Sequence, residues 1–248
     1  MNTNLTLPLY ERVDASEVAP EIYVYLPQKQ STPTKAVVIC GGGGYNQVNI
    51  EHEGRQFAQW LNSINVAGIV LNYRLPQGDR TKPEADLRQA VKIVRSHASQ
   101  WNIDQQQIGA AGFSIGGHAV SLLAVKEEAE SKLNFTMLFY GVVSMTDQLT
   151  HKPSRERLLG ASPTQDVLNC YSSENSISAS TPPCLFMASD DDQVVSPLNG
   201  VIYYEKLKAH HVPASLHVFP CGGHGWGMKE DFLYHQEMLT IIDKWLNK

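Results

Sequence analysis

Residues 112–118 read GFSIGGH, one serine caged by glycines between the apolar run QIGAAG (107–112) and the helix-like stretch AVSLLAVKEEA (119–129). Alone, a G-x-S-x-G string is a Gly-rich turn with a solvated hydroxyl. Between a strand and a helix it becomes a tight turn that lifts the serine Oγ above the carboxyl edge of a sheet. Such a turn strains the serine backbone, and its neighbours must be small to clear the crossing helix and strand. Gly112 and Gly116 meet that need, Gly117 adds clearance, and Ser114 is the candidate nucleophile.

The rest of the chain supplies the sheet that this turn requires. The runs AVVIC (36–40), AGIVLNY (67–73), QIGAAGF (107–113), FTMLFY (135–140), CLFMAS (184–189) and SLHVF (215–219) are mostly near-continuous in apolar residues. Parallel strands covered on both faces read this way. Between them Phe57, Leu61 and Ile64 share a helical face, as do Leu87, Ala90, Val91, Val94 and Ala98, and later Met238, Ile242 and Trp245. Strands alternating with helices predict an α/β class: a mostly parallel sheet with helices on both faces, because parallel strands need crossovers. One domain is expected over residues 1–248, with antiparallel edge strands near 4–13 and 21–26.

Residues 141–183 break the rhythm. They are rich in Ser, Thr, Asn and Pro and read as an insertion crossing the strand ends, with short helices around 154–159 and 163–170. The segment has no long amphipathic stretch of the kind a lipid-facing lid presents.

The chain has 248 residues and a net charge of −5, with scattered Lys and Arg. That distribution argues against nucleic acid or an anionic membrane as partner. No apolar run is long enough to cross a bilayer, and residues 1–21 lack a signal-peptide layout. The expected compartment is the cytoplasm, unless a leader has been trimmed away. Cys40, Cys170, Cys184 and Cys221 are widely spaced without a C-x-x-C pair, so a zinc site is not expected and mostly buried free thiols are. The reading calls for no metal and no cofactor, and it is compatible with a homo-oligomer.

A serine hydroxyl needs a base to take its proton and an acid to hold that base in the right tautomer. Of nine histidines, His224 stands in CGGHGWG (221–227), directly after the apolar run at 215–219, where glycines let an imidazole reach over a sheet end. His118, in the first turn after Ser114, reads as a packing or capping residue; His97, His210 and His211 lie at or near helix ends; and His52, His151, His217 and His235 have no catalytic context. The acid should follow CLFMAS, where Asp190, Asp191 and Asp192 stand in a row; spacing does not choose among them, and Asp147 is a more distant fourth. The order Ser, Asp, His is that of one serine-hydrolase fold out of three.

Acyl transfer also needs N–H donors for a developing oxyanion, usually one from the residue after the nucleophile and one from a loop after an earlier strand. Ile115 would give the first. CGGGGY (40–45) would give the second from Gly43, with Gly42 and Gly44 letting backbone approach a substrate closely. The competing phosphate-loop reading lacks its Lys-Ser/Thr and its G-x-G-x-x-G spacing.

The succession VVICGGGGY, NYRLP, DLRQAVKIVRSHASQWNIDQQQIGAAGFSIGGH, ASDDDQVVSP and FPCGGHGWG resembles the acetyl xylan esterase-like and dienelactone hydrolase-like small serine esterases of the α/β-hydrolase superfamily, over nearly all the chain from about residue 35. The resemblance implies that Asp192, two residues before Val194-Val195, is the triad acid, with Asp191 in reserve. It makes the YRL tripeptide (73–75) a structural feature and Asp86 an N-cap of the following helix. Departures are Ile115, where a small residue is usual, Cys40-Gly41 before the glycines, and Ser196 for a common proline; the bulk of Ile115 is expected to narrow the acyl pocket.

The implied activity is cofactor-free hydrolysis of a short acyl ester, such as an acetylated sugar or xylan fragment, with Tyr45 and Trp226 as aromatics to pack against a sugar. Alternatives are a peptidase or formamidase on the same machinery, or a ligand-binding protein that keeps only the fold.

Overall fold

The computed structural model describes residues 4–11, 18–28, 31–126 and 128–247. Within them eight strands form one sheet: β1 (Asn4–Pro8), β2 (Glu21–Tyr25), β3 (Thr34–Cys40), β4 (Ala67–Asn72), β5 (Ile103–Phe113), β6 (Thr136–Phe139), β7 (Cys184–Ser189) and β8 (Ala214–Phe219), in the order β1-β2-β4-β3-β5-β6-β7-β8. The β1–β2 and β2–β4 pairs are antiparallel and all others parallel. Of the expected edge strand 4–13, positions 12 and 13 lie outside the described residues.

Side chains alternate across a strand, and the two faces of the sheet build two cores. Val37, Ile39, Phe113 and Phe139 meet Phe57 and Leu61 of α1 (Gln56–Ser63) and Met238 and Ile242 of α7 (His235–Leu246). Val38, Cys40, Ala110 and Phe186 meet Leu87 and Val91 of α2 (Lys82–His97), Val120 of α3 (Ile115–Ala124) and Leu207 of α6 (Leu198–Ala209). Each large apolar side chain so buried contributes roughly 1.5–3 kcal/mol against the entropy of ordering the chain.

The segment between β6 and β7 folds as α4 (Lys152–Leu159) and α5 (Gln165–Cys170), which end where the sequence places those two helices. Thr164 caps α5, its Oγ1 accepting the Val167 N–H at 3.4 Å. No helix among the described residues is long and apolar enough to cross a membrane.

Asp86 does not cap a helix. The α2 helix starts at Lys82, and Asp86 sits one turn inside it, fully buried. Its carboxylate accepts Arg74 N–H at 2.8 Å, Arg74 Nη2 at 2.6 Å and the Tyr10 hydroxyl at 2.9 Å. The tripeptide after β4 is thereby clamped onto α2, Asp86 being fully buried and Arg74 partly exposed. The thiols also depart from expectation: Cys40 and Cys184 are buried, but Cys170 is exposed and Cys221 half-buried. Burial pushes the Cys184 thiol up to about 12 and raises Cys40 as well, so neither offers a thiolate near neutrality.

Candidate active site

Loops at the carboxyl ends of β3, β5, β6, β7 and β8 converge, as ligand sites in open parallel sheets do. Ser114 closes β5 with φ 51° and ψ −120°, in the left-handed half of backbone space that L residues seldom enter. Its N–H donates to Phe139 O at 2.9 Å, and its carbonyl accepts Gly117 N–H at 3.0 Å. Gly116 is required by contact rather than by dihedral: a Cβ there would lie 2.2 Å from the Cys40 carbonyl oxygen.

From β8, His224 brings Nε2 to 2.8 Å from Ser114 Oγ and Nδ1 to 2.7 Å from Asp192 Oδ2. Asp192 Oδ1 accepts the N–H groups of Val194 and Val195 at 2.8 and 2.9 Å, which fixes the rotation of the buried carboxylate. With both Asp192 oxygens acting as acceptors, Nδ1 carries the proton, and Nε2 presents a lone pair to the serine hydroxyl. Of the other acids in the row, Asp191 accepts Gly223 N–H at 2.8 Å and Asp190 is exposed. Asp147 pairs with Arg155 at 2.5 Å. Of these four acids only Asp192 meets the imidazole.

The glycine loop after β3 reaches the same place. Gly42 lies against Ser114, since a Cβ on it would be 2.8 Å from Ser114 Cβ, and its N–H donates to Glu53 Oε2 at 2.7 Å. Among the described residues, no acceptor takes the N–H of Gly43 or of Ile115. Gly44 faces the segment between β6 and β7: its carbonyl accepts Arg157 Nη1 at 3.1 Å, and a Cβ on it would be 3.4 Å from Ser154 Oγ and 4.0 Å from His151 Cε1.

Three side chains do not stand where the sequence places them. Tyr45 is 3% exposed, its hydroxyl 3.0 Å from His118 Nδ1. Trp226 is 2% exposed, stacked on Phe232 and donating Nε1–H to Ser189 Oγ at 3.0 Å. Neither ring offers a face to a sugar, because the loops that carry them turn apolar surface inward. Ile115 is fully buried in the α2–α3 core, so its bulk fills that core and does not narrow an acyl pocket.

His118 is a packing residue. Its Nε2–H donates to Tyr171 O at 2.8 Å, which leaves Nδ1 to accept the Tyr45 hydroxyl. Burial drives its pKa down to about 4.

Sequence reasoning passed over Glu53, Tyr140 and His151. Glu53 is 3% exposed, and Tyr140, at φ 39°, sets its ring edge-on to His224 with centroids 4.8 Å apart. His151 is half-buried and held below the ordinary imidazole range by burial, then by His224 and Arg157. Its nearness to His224 comes from the path of the 141–183 segment, for which no local pattern is a signal.

The family model BD-FAE matches residues 22–207. An acetylxylan esterase of Xylanibacter ruminicola is 39% identical over 230 residues, 91% of this chain and 48% of that protein. The endo-1,4-beta-xylanase B of Butyrivibrio fibrisolvens is 29% identical over 227 residues, 86% of this chain and 35% of that protein. The chain thus spans about half or less of these curated relatives. Among solved structures, an acetyl ester-xyloside bifunctional hydrolase from Caldicellulosiruptor lactoaceticus superposes with a TM-score of 0.92 at 31% identity, covering 98% of this chain and 96% of that one. The fold is that of the α/β-hydrolases.

Proposed function

Because the chain belongs to the BD-FAE family, we propose that it is a serine carboxylic ester hydrolase that removes acetyl groups from xylose-containing saccharides. The observation that carries the reading is the unbroken hydrogen-bond path from Ser114 Oγ through His224 to Asp192, at 2.8 and 2.7 Å. The acetyl and xylose parts rest on the similarity to the acetylxylan esterase and to the acetyl ester-xyloside hydrolase.

Ser114 Oγ attacks the ester carbonyl while its proton passes to His224 Nε2. Asp192 keeps the imidazole in the tautomer that accepts this proton and stabilises the imidazolium that forms. The tetrahedral oxyanion takes hydrogen bonds from the free N–H groups of Ile115 and Gly43, preorganised at a helix start and in a glycine turn. The intermediate collapses, the C–O bond to the alcohol breaks, and His224 returns the proton to the departing oxygen. Water then attacks the acetyl-enzyme with His224 as base again, releasing acetate and restoring the serine hydroxyl. Gly42 has no part as donor, since Glu53 already takes its N–H.

The test is hydrolysis of nitrophenyl acetate, butyrate and octanoate, then of acetylated xylo-oligosaccharides, by the wild type beside Ser114→Ala. The reading requires acetate to be cleaved fastest, acetate release from the oligosaccharide, and loss of both in the variant. A folded wild type that cleaves no ester, or a Ser114→Ala protein that retains full activity, overturns it.

A further inference from the structure

Glu53 lies in the π-helical turn Glu51–Arg55 that precedes α1, and it is 3% exposed. A carboxylate so buried ordinarily faces a cation. Here the nearest candidate is His52, whose Nε2 is 4.0 Å from Oε1 and carries charge only when protonated. Two uncharged donors hold the carboxylate instead: Gly42 N–H reaches Oε2 at 2.7 Å, and the Tyr140 hydroxyl reaches Oε1 at 2.8 Å. The same hydroxyl accepts Gly227 N–H at 2.9 Å. Burial first, and then the charge of Glu53, raise the Tyr140 pKa well above the ordinary phenol range, so the hydroxyl keeps its proton and remains the donor.

We propose that Glu53 is a positioning residue that sets the glycine loop of residues 41–45 against Ser114 and locks it, through Tyr140, to the loop carrying His224. The proposal rests on the esterase reading and goes beyond it. With Gly42 N–H held by Glu53 and Gly42 O accepting Asn49 N–H at 3.0 Å, both peptide planes that flank Gly42 are set, and the second carries the Gly43 N–H. The fit is tight, since a Cβ on Gly42 would be 2.8 Å from Ser114 Cβ and 2.9 Å from Glu53 Oε2. Tyr140 has little freedom to relax: its N–H donates to Met187 O at 2.6 Å, and its ring abuts His224. One carboxylate thus ties together loops that follow β3, β6 and β8. Extra-residue turns of this kind recur at functional sites.

Charge and position make opposite demands on Glu53. A carboxylate behind the glycine loop repels a developing oxyanion, so neutralising it without loss of geometry would speed the reaction. If its role is to place the loop, neutralising it slows the reaction, because displacement of a donor by about 1 Å costs up to roughly 10²-fold. Glutamine keeps the size but offers a carbonyl oxygen to only one of the two donors.

The experiment compares wild type, Glu53→Gln, Tyr140→Phe and the double variant in nitrophenyl acetate hydrolysis and in inhibition by benzeneboronic acid, whose tetrahedral serine adduct uses the oxyanion donors. In Glu53→Gln, kcat falls about 10- to 100-fold with KM within about twofold, and boronic acid affinity falls in the same proportion. The double variant is no slower than the slower single one, since both changes break one connection. A Glu53→Gln enzyme with wild-type or higher kcat, unchanged boronic acid affinity in a slowed variant, or fully additive losses would each overturn the proposal. Should Glu53→Gln not fold, Tyr140→Phe carries the test with an expected loss of roughly tenfold in kcat, and a wild-type kcat there also overturns it. A wild type inactive on every ester overturns the esterase reading and this proposal with it, whereas an active wild type beside an equally active Glu53→Gln overturns the proposal alone.

Discussion

Asp191 accepts the Gly223 N–H at 2.8 Å, one residue before His224. Adjacent carboxylates therefore hold adjacent parts of one loop: Asp191 its backbone, Asp192 its imidazole. That division separates two variants. Asp192→Asn puts an amide where Nδ1–H needs an acceptor, favours the wrong tautomer and lowers kcat by about 10³ to 10⁴. Asp191→Ala loses one exposed backbone bond and costs no more than about tenfold. Steady-state hydrolysis of nitrophenyl acetate at pH 8 measures both, and equal losses would show that the two acids share one role.

His118 makes stability depend on pH. The unfolded chain takes up a proton here below about 6.5, whereas the native residue, held down by burial, does so only near 4. Its contribution is complete above 6.5 and is lost as pH falls through that window, reaching about 3 kcal/mol. The amide of His118→Gln can still donate to Tyr171 O and accept from Tyr45, but it does not titrate. Between pH 7 and 4.5 the melting temperature of the wild type should therefore drop more steeply than that of the variant. Parallel curves would remove His118 as the cause.

Gly116→Ala drives a Cβ to 2.2 Å from a backbone oxygen, and neither β3 nor α3 has a flexible end to give way. The expected cost is about 2–4 kcal/mol, read as a fall in melting temperature of roughly 5–15 °C. Activity should fall as well, because the same shift moves the Ile115 N–H. A variant with wild-type melting temperature and rate would contradict the packing described for this turn.

The parallel sheet was legible because strands buried on both faces carry near-continuous apolar runs, as β3 does over residues 36–40, β4 over 67–71 and β7 over 184–188. The tight turn at Ser114 could be read because few conformations suit a lone serine among glycines between a strand and a helix. Side chains whose environment depends on distant chain were not legible. Glu51 and Glu53 stand two residues apart in the same turn, yet Glu51 pairs with Arg55 in solvent and Glu53 is buried. Trp226 and Tyr45 look like exposed loop aromatics by position, but the neighbouring Phe232 and His118 draw both rings inward. Asp86 misled because an acidic residue near a helix start is usually a cap, and the true start lies four residues earlier.

Among the described residues the edge strand β8 pairs only with β7, and its side chains are more exposed than those of the inner strands. The proposed base, His224, arrives on the loop that follows it, more than a hundred residues after Ser114. A chain with every other strand in place but β8 unseated would keep its serine and glycine loop and still lack a proton acceptor. On the proposed mechanism, the rate of hydrolysis would then report whether the margin of the sheet has closed.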